Sequence, residues 1–162
     1  MRFLLVFFLG TTAAFASDWS HYQNARFGVE IDIPPGFVND VPEPENGDGL
    51  TYHTTGGDAE LLVWGTHVTA DSFADEADDR LDGEIGQLWQ ISYVKRSDDG
   101  SSLIYSGSKD GRIVYAKSLS ACKGTLSVNF RIEYPADQKQ NYDAVVSRLA
   151  SSLKDGPAAA CS

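Results

Sequence analysis

SSLIYSGSKDGRIVYAKSLS, residues 101–120, decides the fold. Asp110-Gly111 is a two-residue hairpin signal, because both central positions of the tight turn need a positive φ. A two-residue turn pairs Lys109 with Arg112 and fixes every pairing outward from there. One face of the hairpin then carries Leu103, Tyr105, Val114 and Ala116, and the other carries Ile104, Ile113 and Tyr115. Side chains alternate across a sheet, so a hairpin that is apolar on both faces needs a covering layer on each.

The flanking sequence supplies those layers. Downstream, Leu126, Val128, Phe130, Ile132 and Tyr134 alternate through a predicted strand at Thr125–Tyr134. A helix is predicted from Pro135 to about Lys154, with Tyr142, Val145, Val146, Leu149 and Leu153 as its apolar stripe. Gly156-Pro157 ends it. Upstream, Asp98-Asp99-Gly100 turns the chain out of a predicted strand at Leu88–Arg96. Before it, Ser72 and Asp75 open a helix whose stripe is Phe73, Ala77, Leu81 and Ile85. Strands are predicted at Leu50–Thr54 and Ala59–His67, and a hairpin spans Trp19–Ile33. The order gives an α+β domain: a mostly antiparallel sheet with a helix on each face.

The first residues stand apart from this domain. Met1-Arg2, the apolar run Phe3–Leu9 and Ala14-Phe15-Ala16 form a secretory signal peptide, with cleavage expected between Ala16 and Ser17. The run is too short to cross a bilayer, which takes about 20 residues. The expected mature chain, 17–162, is one domain in the periplasm or outside the cell, not inserted in a membrane. No Asn is followed by a glycosylation sequon, which favours a bacterial periplasm.

The charge and the cysteines agree with export. A net charge of −10 argues against nucleic acid and anionic membranes as partners. It reads first as a solubility device, and second as attraction for a basic protein or a cation. The two cysteines, Cys122 and Cys161, read as one disulfide in an oxidising compartment. A ten-residue strand runs out about 33 Å and an 18-residue helix returns about 27 Å, which brings the tail back beside Cys122. The closed loop of about 40 residues stabilises by roughly 4 kcal/mol in the chain-entropy account.

Trp19…Tyr22-Gln23-Asn24…Arg26-Phe27-Gly28-Val29…Ile33-Pro34-Pro35-Gly36-Phe37 resembles the opening hairpin of the PsbP-like and DcrB-like families of small exported bacterial proteins. Glu133-Tyr134-Pro135, followed by a long helix closing on Ser151-Ser152-Leu153, is similar to their ending. The resemblance implies an α/β/α sandwich, PsbP-like in layout, and a non-catalytic accessory or binding domain that engages another exported protein. It transfers no site residue.

The remaining motifs are weaker. Glu43, Glu45 and Asp48, in a loop rich in glycine and proline, offer carboxylates to a hard cation such as Ca²⁺. A cation- or small-ligand-binding accessory protein using residues 43–49 is therefore the alternative function. The spacing fails the EF-hand pattern, and a solvated loop is the plainer reading. Asp71–Glu84 holds seven carboxylates and reads first as a solvated helix face, second as a dock for a basic partner. His21, His53 and His67 are scattered; His53 and His67 fall on neighbouring predicted strands, but nothing supplies that pair with a third zinc ligand, and surface or capping histidines are the plainer reading. Ser106-Gly107-Ser108-Lys109 matches an S-x-x-K string but runs into a hairpin turn instead of opening a helix. No nucleophile set assembles, so the chain reads as no enzyme, and a hydrolase stands last. Trp19, Trp64, Trp89 and the strand tyrosines read as core, with a lined pocket as the second use.

Overall fold

The computed structural model describes residues 18–42 and 44–161. The predicted cleavage pair Ala16 and Ser17, and Glu43, lie outside them. Seven strands form the main sheet in the order β3 (Phe37–Val38), β4 (Gly49–Thr54), β5 (Glu60–His67), β9 (Leu126–Pro135), β8 (Arg112–Ala121), β7 (Ser102–Lys109) and β6 (Gln90–Arg96). A second sheet has the order β1 (Ser20–Asn24), β2 (Val29–Ile33) and β10 (Lys154–Asp155). Every pairing is antiparallel. The Asp110-Gly111 turn pairs Lys109 with Arg112, the register the turn length demands.

Each face of the main sheet carries a helix. Helix α1 (Phe73–Gly86) lays Phe73, Ala77 and Leu81 on Leu103, Tyr105 and Ala116. Helix α2 (Lys139–Ser152) and the small sheet cover the other face. There Leu61, Val63, Val128, Phe130 and Ile132 are fully buried against Val29, Ile31 and Leu149. Truncating a core aromatic such as Phe130 to alanine costs about 3–5 kcal/mol. The small sheet crosses close over β5 at Gly65, where a Cβ would lie 2.2 Å from that of Phe27.

Several boundaries differ from the sequence expectation. The strand expected at Leu88 begins at Gln90, because Leu88 and Trp89 complete the cap of α1. Leu88 N–H donates to the Ile85 carbonyl at 2.9 Å, and Trp89 N–H donates to that of Glu84 at 3.1 Å. Leu88 takes a φ of 71° and stays 77 % exposed. Ile85 leaves the apolar stripe and is half exposed, while Glu84 is buried instead. The helix expected from Pro135 starts at Lys139: Pro135 ends β9, and Ala136–Gln138 makes one 3₁₀ turn. It stops at Ser152, and Lys154–Asp155 pair with β2 as an edge strand.

The tail after β10 is tied down. Gly156, Ala159 and Ala160 N–H groups donate to the carbonyls of Gly28, Ala25 and Arg26 in the β1–β2 turn. Gly28, at φ 76°, lies so close that a Cβ there would be 2.4 Å from the Gly156 carbonyl oxygen. A disulfide joins Cys161 to Cys122 between β8 and β9, with Cα atoms 5.5 Å apart.

Candidate functional site

The covering of the sheet is unequal. Helix α1 lies over β7 and β8, and its Arg80 and Glu84 reach only as far as β9. On this face β5 presents Leu62 and Trp64, with Thr51 beside Leu62 on β4. All three are half-buried. Two clefts open above them. One, of about 250 Å³, is walled by Val41, Pro42 and Pro44 of the β3–β4 loop. The other, of about 420 Å³, is walled by Arg80 and Gly83 of α1, by its C-cap Gln87, and by Arg131 and Glu133 of β9. Leu62 and Trp64 line both, so the two form one groove across the open half of the sheet.

The α1 wall is a closed polar network. Arg80 donates to Asn129 Oδ1 at 3.0 Å and to Ser127 Oγ at 2.9 Å, and pairs with Glu76 one turn earlier. Asn129 and Ser127 are fully buried, so this guanidinium satisfies groups that water cannot reach. Arg131 grips Glu84 with two bonds, Nε to Oε1 at 2.6 Å and Nη2 to Oε2 at 3.2 Å, and reaches Glu133 at 3.1 Å. Arg112 joins Glu133 from β8. The Tyr105 hydroxyl donates to Glu84 at 3.3 Å, and the Arg131 guanidinium lies 5.4 Å from the Trp89 ring centroid. Burial lowers the Arg80 pKa more than Glu76 raises it. Burial also pulls on Arg131, but the Glu84 and Glu133 carboxylates outweigh it and raise its pKa. The Tyr105 hydroxyl is pushed up by burial, with Glu84 adding to it. The wall is therefore charged, rigid and internally neutralised, and the floor offers apolar contact.

No family model matches the chain, and no curated protein does. Solved structures do. The cyanobacterial PsbP protein CyanoP from Synechocystis superposes with a TM-score of 0.62 at 16 % identity, over 91 % of this chain and 98 % of that one. The fold is PsbP-like. A variant of the protein Mog1 matches equally, with a TM-score of 0.62 at 9 % identity over 90 % of this chain and 100 % of that one. The Saccharomyces cerevisiae Ran-binding protein Mog1p gives 0.61 at 9 % identity, over 90 % and 99 %.

On this PsbP-like frame the residues singled out by sequence fall in separate places. Asp48 pairs with Arg26 at 3.2 Å and accepts from the Asn46 amide, while Glu45 is exposed. Among the described residues, no group of three or more His, Cys, Asp or Glu side chains could hold a metal ion. Ser106 lies within β7 and donates to the Val114 carbonyl, so the S-x-x-K string sits on a strand. His21 faces Asp32 and His53 faces Glu60, on different sheets. Trp64 lines the groove. Trp19 lines a cleft of about 570 Å³ beside α2, with Arg148 stacked 4.3 Å from its ring centroid. Trp89 is core.

Sequence reasoning did not pick out Leu62 or Arg131, and it met Arg80 and Glu84 only as members of the acidic helix segment Asp71–Glu84. The available signal was the run Leu61-Leu-Val-Trp64, apolar on both faces of a strand and so requiring cover on both. Among the described residues, no helix is long and apolar enough to cross a membrane.

Proposed function

We propose that this chain is an exported, non-catalytic accessory protein that binds another exported protein through the groove over Leu62 and Trp64. The observation that carries the reading is the continuity of the two clefts across the open half of the sheet. An apolar floor with one apolar wall and one charged, mutually satisfied wall suits protein recognition: it offers contact area without leaving a buried charge unpaired. The PsbP-like fold supports this, since Mog1p, which shares it, is a Ran-binding protein. Export is supported by the disulfide, which oxidising compartments favour, and by the signal-peptide pattern of residues 1–16.

The test is site-specific photo-crosslinking in cells that make the protein. A photoreactive residue at Thr51 in the groove floor is compared with one at Ser151, exposed on α2. The expected result is one recurrent adduct with an envelope protein from position 51, absent from position 151. Identical adducts from both positions, or none from position 51, would refute the reading.

A further inference from the structure

The main sheet ends differently at its two edges. On one side β3 is two residues long. On the other, β6 runs for seven residues, and all of them but Ile91 are exposed. An edge strand turns the backbone N–H and C=O groups of alternate residues outward, so β6 offers a row of them to another strand.

Apolar exposure gathers at the same edge. Six large apolar side chains are exposed among the described residues, and four of them, Ile85, Leu88, Tyr93 and Val94, fall between positions 85 and 94. Register puts two of these on opposite faces of β6. Val94 stands opposite Tyr105, which is buried under α1. Tyr93 stands opposite Ser106, whose partner on β8 is Tyr115, and Tyr115 stacks on Phe130 on the α2 face. Ile85 joins Val94 on the α1 face: Asp78, two turns earlier on the same side of the helix, pairs with Arg96 of β6. A strand that is apolar on both faces has the pattern of an inner strand, yet β6 lacks a neighbour on one side.

The charges say which strand fits. Lys95 shares the face of Tyr93, opposite Ile104 and, beyond it, Lys117. Lys117 donates to the Ala150 carbonyl, and Arg96 is spent on Asp78. Lys95 enters no ion pair among the described residues. Asp98 and Asp99 in the following turn do not reach it, and Asp99 accepts from Ser101 instead. The β6 sequence QISYVKR contains no carboxylate, so pairing with β6 of a second copy would set two cationic strands side by side. Lys95 and the irregularity between Ile91 and Tyr93 are devices that keep an edge from pairing with its own kind.

We propose that β6 accepts an acidic extended segment of a partner protein as an eighth strand of the sheet. Opposite Tyr93-Val94-Lys95 that segment places an apolar residue, a second apolar residue beside Ile85 on the α1 face, and a carboxylate against the Lys95 ammonium. Main-chain bonds supply the affinity and these side chains the choice. The charge that repels a second copy attracts this strand. The surface lies across α1 from the groove over Leu62 and Trp64, so it is a second site, independent of the reading given for that groove.

The experiment titrates the isotope-labelled protein with two short valine–threonine peptides, identical except that one carries glutamates where the other carries lysines. Amide chemical shifts and amide exchange are read. The glutamate peptide is expected to shift the amides of Tyr93 to Arg96, to slow exchange along β6, and to bind about tenfold more tightly than the lysine peptide. Lys95→Glu changes an exposed side chain, leaves the fold intact and should reverse the preference. A preference that Lys95→Glu does not move overturns the proposal, as do equal binding and no binding. Shifts without slower exchange would mean charge attraction alone and refute strand addition. Shifts at Thr51 and Leu62 instead would put the peptide in the groove and refute the site. A peptide-free dimer with its β6 amides already protected would make a second copy the occupant, which also overturns it.

Discussion

Replacing Leu88 by glycine should make this protein more stable, although leucine is the more hydrophobic residue. Helix α1 ends in a two-bond cap in which Leu88 and Trp89 return their N–H groups to Ile85 and Glu84. That cap places one residue in the left-handed region, where glycine is habitual. Here a leucine occupies it at φ 71°. The left-handed conformation costs an L-residue about 1–2 kcal/mol. Glycine removes that cost but adds about 0.5–1 kcal/mol of chain entropy in the unfolded state. The side chain is 77 % exposed, so its removal sacrifices little burial. The balance is a gain of about 0.5–1 kcal/mol for Leu88→Gly, or a Tm rise of about 1–4 °C for a chain of this size. Leu88→Ala is the control: it keeps the strained conformation and loses the side chain, so it should stay within about 0.5 kcal/mol of the natural protein. Calorimetry and urea unfolding of the three proteins decide the matter. A Leu88→Gly protein that melts below Leu88→Ala would show that the cap is unstrained and refute the reasoning.

Other outcomes follow from the same contacts. Cys161→Ser should cost about 4 kcal/mol in urea unfolding, from the entropy of the loop it releases; faster amide exchange at Gly28 and Gly47 is expected with it, because the tail holds the turn whose Asn24 holds Gly47. Unchanged exchange at both amides would break that chain of reasoning. Glu84→Gln strips a buried guanidinium of its two-bond partner and should lose about 3 kcal/mol, measured by chemical denaturation; a loss below about 1 kcal/mol would mean that water already screens the pair. Burial pushes the Asp32 pKa up, but hydrogen bonds from Arg148 and His21 outweigh it and leave the folded pKa below its usual value. Its stabilisation is therefore complete above the unfolded value of about 4 and is lost as pH falls through the lower folded value. Asp32→Asn should flatten stability against pH between about pH 2 and pH 5 and leave its slope near pH 7 unchanged.

Local signals were legible wherever one residue type has one structural meaning. Asp110-Gly111 set the register of β7 and β8, and the alternation from Leu126 to Tyr134 set the buried face of β9. The opposite face of β9 was not legible. Ser127, Asn129 and Arg131 alternate as polar residues would on a wet surface, yet the first two are fully buried because Arg80 of α1 lands on them. Period-two reasoning sees polarity, not the partner that satisfies it. The same limit hid the groove, whose existence depends on how far α1 reaches across the sheet. Leu88 was misread as strand because nothing in a leucine announces a left-handed cap. Lys154–Asp155 was unreadable, being too short to show any period.

The tail that docks on the β1–β2 turn has a consequence for the order in which the chain matures. Glu30 is made early, but its edge partner Lys154 and the Gly28 contact Gly156 come near the end of synthesis. Until then β2 keeps an open edge, a template for pairing with a neighbouring molecule. Cys161 lies six residues beyond Asp155, so the bond to Cys122 tethers the segment that fills that edge. The disulfide thus works as a guard on the first hairpin: once it has closed, β10 cannot drift far from β2, and the edge stays filled in the finished molecule.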